Sequence, residues 1–134
     1  MDAGVTDLLA TLHSTFGFSG FRGVQADVVA RVMAGRHTLA VMPTGAGKSL
    51  CYQLPAVVLP GTCVVVSPLI ALMHDQLRAA TAAGIRAATL TSADDNRAET
   101  IERFKAGALD LLYVAPERAS TGHFRELAAR ARLS

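Results

Sequence analysis

The sequence is poor in several of the features that assign a protein quickly. Its two cysteines, Cys51 and Cys63, are too far apart for a CxxC pair and too few for a disulfide framework. Both sit among apolar neighbours, where a free thiol behaves as a small hydrophobe. A reduced, cytoplasmic compartment is the expectation. The four histidines, His13, His37, His74 and His123, have no ligand-like spacing with the cysteines, which argues against a zinc site. No apolar run approaches the roughly 18 residues of a membrane span, and the richest, residues 63–73, is interrupted by Ser67-Pro68. The amino terminus carries Asp2 and Asp7 where a secretory signal would be basic. Charge of one sign is scarce as well. Lys and Arg number 13 against 11 Asp and Glu, so net charge makes no case for nucleic acid. With 11 Gly, 5 Pro and 5% aromatics, the chain is neither collagen-like nor low in complexity.

What is present is an apolar, globular composition. Half of the chain, 51%, is hydrophobic, too much for a disordered protein, and 134 residues suit a single domain. Short apolar runs alternate with longer amphipathic ones. Thr6 is placed to cap a first helix ending near Thr15. Residues 22–34 repeat apolar side chains at helical spacing up to Gly35, a residue type that ends helices. Residues 38–42 read as a strand, and 48–59 as a helix that Pro55 should kink or end early. Residues 62–66 are apolar at successive positions, which predicts a strand covered on both faces. A helix over 69–83, a strand over 87–90 and a helix to about 106 follow, the last with Ser92 and Asp95 as a capping box. A strand over 110–115 and a helical tail from Gly122 complete the pattern. This alternation predicts an α/β fold with a parallel sheet, whose ligands bind beyond the carboxyl ends of the strands.

The loop after the first expected strand carries the clearest chemistry: Met42-Pro43-Thr44-Gly45-Ala46-Gly47-Lys48-Ser49. Glycines let successive backbone N–H groups turn inward around an anion, and a helix beginning at Lys48 adds its positive end. Lys48 is placed to reach the β- and γ-phosphates of a nucleotide, and Ser49 to coordinate Mg²⁺. The general phosphate-loop pattern has its first glycine where this chain has Met42. A chance glycine turn between strand and helix is the plain alternative.

Four segments together resemble the RecQ family of DNA helicases, in superfamily 2. Residues 42–56 (MPTGAGKSLCYQLPA) are similar to its first ATPase motif, 64–76 (VVVSPLIALMHDQ) to motif Ia, and 111–118 (LLYVAPER) to motif Ib. Residues 16–25 (FGFSGFRGVQ) resemble the motif that precedes the phosphate loop. Gly23-Val24 replaces the family's usual Pro-Gly, and Thr91 stands where an Asn is common. The sequence ends at Ser134, before the family's Asp-Glu-Ala-His motif, so it reads as a fragment of the first RecA-like motor domain, truncated ahead of the acidic residues.

The resemblance implies ATP and Mg²⁺ as cofactors, single-stranded or duplex DNA as partner, and a second RecA-like domain in the intact protein. It implies base recognition by Phe18, Arg22 and Gln25, and phosphate binding by Pro43, Thr44, Gly45, Ala46, Gly47, Lys48 and Ser49. It also implies DNA contact at Ser67 and Arg118. Each has a plainer alternative. Phe16, Phe18 and Phe21 would serve equally as core anchors, with Gln25 a solvated helix residue. Ser67-Pro68 is also an ordinary helix start. The expected function is the ATP-binding part of a 3′-to-5′ DNA helicase, binding nucleotide without efficient hydrolysis. A non-catalytic binding remnant and an unrelated phosphate-loop kinase or transporter ATPase are the alternatives.

Overall fold

The computed structural model describes residues 2–42, 48–68, 70–91, 97–130 and 133. Three helices come first: α1 (Asp2–Phe16), α2 (Gln25–Met33) and α3 (Leu50–Val58). The order continues β1 (Cys63–Val66), α4 (Ile70–Ala82), β2 (Ala87–Leu90), α5 (Arg97–Lys105) and β3 (Leu111–Val114). Two helices close it, α6 (Pro116–Ala119) and α7 (Gly122–Arg130). Internal contacts divide the chain into two compact units, Met1–Leu59 and Pro60–Ser134.

The first unit is helical, and its core follows from side chains spaced four apart. Residues i and i+4 share a helix face. Leu8, Leu12 and Phe16 of α1, Val29 and Met33 of α2, and Leu50, Leu54 and Val58 of α3 make one cluster with Phe21. Leu12 and Leu54 are fully buried in it, and α3 packs against both α1 and α2. Helix α1 begins at Asp2, four residues before the expected cap at Thr6. Helix α3 runs through Pro55 to Val58. The proline removes one backbone donor, but Leu54 and Val58 on either side keep that turn in the core.

Residues 38–42 do not form the expected strand. Leu39 is 91% exposed and Val41 89% exposed. A strand exists only by pairing, and every strand of the observed sheet lies in the second unit.

That unit is built on a parallel sheet of order β1-β3-β2. The register is level: Cys63 and Ala87 lie opposite Leu111, Val66 and Leu90 opposite Val114. Central strand β3 is buried along its whole length. Strand β1 is only half-buried, with Val66 53% exposed, against the expected cover on both faces. It is an edge strand of the described sheet, with Val64 packed against the core and an isolated bridge to Leu133 at Thr62, just ahead of it. The core joins Ala88, Leu90, Leu112 and Val114 of the sheet to Phe104 of α5 and to Phe124 and Leu127 of α7. The Phe104 and Phe124 rings stack in parallel, 6.3 Å apart.

Two polar links tie distant segments of the unit together. The buried Thr62 hydroxyl donates to the Leu109 carbonyl at 2.7 Å. Asp110 accepts from the Arg86 backbone N–H at 3.0 Å and from its guanidinium at 2.9 Å; that hydrogen bond pushes the Arg86 guanidinium above its usual range. Helices α4 and α5 end at Gly84 and Gly107, both at positive φ. At Gly84 the closing bonds run from its own N–H to Thr81 and from Ile85 to Ala80, a Schellman cap. No helix among the described residues is long and apolar enough to cross a membrane. The capping box expected at Ser92 and Asp95 lies outside the described residues.

Candidate functional site

Of the residues expected to read a base, the structure treats the three phenylalanines differently. Phe16 and Phe21 pack into the helical core. Phe18 does not, and stays 48% exposed. It follows Gly17, which ends α1 at φ +73°, with the Gly17 N–H bonded to the His13 carbonyl at 3.1 Å. The Phe18 N–H bonds to the Leu12 carbonyl at 3.2 Å, and the His13 ring Nε2 lies 3.1 Å from the Ser19 carbonyl. Gln25 opens α2 and is 4% exposed. It is therefore no solvated helix residue. Its carboxamide oxygen accepts from the Arg22 backbone N–H at 2.7 Å, which fixes the orientation of the amide. The Arg22 side chain is exposed.

The expected phosphate loop lies partly beyond view, because Pro43, Thr44, Gly45, Ala46 and Gly47 are outside the described residues. Its last two members are visible. Lys48 is exposed in a turn and Ser49 is half-buried at the start of α3. The first turn of α3 carries no acidic side chain, and Ser49 makes no capping hydrogen bond. Leading N–H groups of a helix want an acceptor. Here the N–H groups of Cys51, Tyr52 and Gln53 already meet the Lys48 and Ser49 carbonyls, so what the helix start offers an anion is the exposed Lys48 side chain, while the Ser49 hydroxyl is a hard oxygen ligand of the kind Mg²⁺ takes. Cys51 is buried in the same turn, and that burial pushes its thiol up, away from the thiolate form. Helix α2, begun by Gln25, and helix α3, begun after Ser49, pack against each other.

The second unit gathers the remaining candidates at one end of its sheet. Ser67 follows β1 directly, and its N–H continues the ladder to the Val114 carbonyl at 3.0 Å. Ala115, Pro116, Glu117 and Arg118 follow β3, whose last residue is level with Val66. Ser67 and the Ala115–Arg118 turn thus share the carboxyl edge where ligands of parallel sheets bind. Ala115, Glu117, Arg118 and Thr121 line a recess of about 170 Å³ there. The Arg118 Nε is buried without a hydrogen-bond partner among the described residues. Thr121 was not expected in this role. Its hydroxyl accepts from the Phe124 N–H at 3.1 Å and donates to the Arg118 carbonyl at 2.8 Å, so it caps α7 and braces the turn. A threonine just ahead of an apolar helical stretch is the signal that marks it. Among the described residues no three His, Cys, Asp or Glu side chains cluster as a metal site.

A family profile for the DEAD/DEAH box helicase matches residues 22–133. The chain belongs to this helicase family. It is 40% identical over 119 residues to the ATP-dependent DNA helicase Q-like 5 of Arabidopsis thaliana, covering 87% of this chain and 13% of that protein. Against the ATP-dependent DNA helicase RecQ of Pasteurella multocida (strain Pm70) it is 40% identical over 128 residues, covering 94% and 20%. The RecQ helicase of Bacillus subtilis (strain 168) is 44% identical over 112 residues, covering 81% and 19%. The chain thus spans a fifth or less of these relatives' lengths. A crystal structure of a hypothetical ATP-dependent RNA helicase from Sulfolobus tokodaii shares the fold, with a TM-score of 0.64 at 19% identity. That match covers 95% of this chain and 38% of the other. This DEAD/DEAH helicase chain therefore has the RecA-like α/β architecture expected of it, apart from the unpaired residues 38–42.

Proposed function

We propose that this chain is the ATP-binding part of the first motor domain of an ATP-dependent, 3′-to-5′ DNA helicase working in repair and recombination. The observation that carries the reading is the identity of about 40% to RecQ helicases over most of the chain. In this reading Phe18 stacks on the adenine, and Gln25, held by Arg22, matches its donor and acceptor edge. Pro43 through Gly47 wrap the phosphates, Lys48 neutralises the β- and γ-phosphates, and Ser49 holds Mg²⁺. The metal, when bound, offsets charge on the phosphoryl oxygens. Ser67 and Arg118 contact DNA phosphate, a role that suits their place at the carboxyl end of the sheet, where Arg118 lines the recess. In the intact protein a second RecA-like domain closes over the nucleotide.

These 134 residues bind nucleotide and do not turn it over at an enzymatic rate. Attack on the γ-phosphate needs a water positioned by a protein group, and charge stabilisation beyond a phosphate cradle; Lys48 and Ser49 provide the cradle alone. The test is a titration of fluorescent ADP. Lys48→Ala should weaken binding about ten- to a hundredfold, as expected for losing a hydrogen bond to a charged group. GTP should compete less well than ATP. Equal affinities for the two proteins would remove Lys48 from the site, and DNA-stimulated phosphate release would refute the non-hydrolysing state.

A further inference from the structure

The loop that carries Phe18 is held more firmly than an exposed loop requires, and the extra hold comes from one side chain. Glycine at position 17 reverses the chain at φ +73°. The buried Leu12 supplies a carbonyl for the Phe18 N–H at 3.2 Å, which fixes the backbone just before the ring. On the far side, the His13 Nε2 meets the Ser19 carbonyl at 3.1 Å. A carbonyl only accepts, so this nitrogen carries the proton and donates. At the other end of the loop, Phe21 is anchored in the core and the Arg22 N–H is tied to Gln25. Between these fixed points Phe18 leaves about half of its surface in water, while the aromatic rings on either side of it in sequence pack inward.

We propose that His13 is a positioning residue for the base-stacking ring: its bond to Ser19 holds Phe18 out of the core, facing an adenine. This rests on the reading of Phe18 as the stacking residue. The mechanism is pre-organisation. A ring already held in the stacking orientation loses little freedom when the base arrives. Without the bond, residues 18–20 gain conformations that must be given up on binding. Only the base-dependent part of affinity is at stake, because His13 has no part in the phosphate loop.

The experiment compares the full chain with His13→Ala, His13→Gln and Phe18→Ala, after circular dichroism shows that each is folded. ADP and inorganic tripolyphosphate, which has no base, are the two ligands. His13→Ala should weaken ADP binding about three- to tenfold, the range for one hydrogen bond, and leave tripolyphosphate binding unchanged. His13→Gln, which keeps an N–H donor of similar reach, should restore most of the loss. Phe18→Ala should weaken ADP alone. If Phe18→Ala matters and His13→Ala does not, the positioning role is overturned and the stacking role stands. If neither affects ADP, the stacking role falls and the inference with it. Equal loss of ADP and tripolyphosphate in His13→Ala, or no recovery in His13→Gln, would show only general damage and overturn the proposal.

Discussion

At Gly84 the backbone takes φ +85°, a region that any residue with a Cβ avoids. A Cβ built there meets nothing within 4 Å, so the cost of Gly84→Ala is conformational and not steric. It should be about 1 kcal/mol, read as a fall of about 3–5 °C in the melting midpoint. Gly20 also has open space around it but no positive φ, so Gly20→Ala should leave the midpoint nearly unchanged. The cysteines add a pH dependence. Burial pushes the thiols of Cys51 and Cys63 up, so the folded chain holds those protons at pH values where the unfolded chain has released them. Their contribution is complete below the ordinary thiol range and is lost as pH rises from about 8.5 through the folded values. Urea midpoints should therefore decline on the alkaline side, and Cys63→Ala should make that decline shallower. An unchanged slope would remove Cys63 as its source.

Among the elements, the segment 38–42 makes the sharpest prediction. Leu39 and Val41 are almost fully solvated, so replacing either with Lys should change stability by less than about 0.5 kcal/mol. A buried strand would lose about 2–5 kcal/mol on truncation alone, and a charge there would cost more. A large drop in the denaturation midpoint for Leu39→Lys would show that the segment is packed in solution. The same segment marks where sequence reading stops. Its apolar run was legible, but a strand is a property of a pair, and a single sequence does not show the partner. Strands β2 and β3 were readable to within a residue because their β-branched and apolar runs end at polar or turn residues. The ends of α2 and α4 were readable to within a residue because a glycine stands two positions beyond each. In the candidate site, the spacing of Gly45, Gly47, Lys48 and Ser49 was legible as chemistry. The burial of Gln25, that of the Arg118 Nε and the His13 bond to Ser19 were not. Each depends on how a loop closes in space, and a six-residue closure leaves no periodic trace.

For the molecule as a whole, the helicase match runs through both compact units, yet each unit has a core of its own. The cooperativity of the second unit can be read from β3. In a parallel sheet successive residues of a central strand bond alternately to the two neighbours. The Leu111 N–H bonds to the Arg86 carbonyl, just ahead of β2, so Leu111 and Tyr113 face β2, while Leu112 and Val114 face β1. Strand β1 is the less covered neighbour, and local opening begins where burial is least. In deuterated water, the amides of Leu112 and Val114 should therefore exchange faster than those of Leu111 and Tyr113, a pattern that amide-resolved NMR would record. Equal decay across the four would mean that the sheet opens all at once; the reverse order would mean that β2 leaves first. Neighbouring amides in the most deeply buried strand would then keep two different clocks, one for the lifetime of each flanking strand.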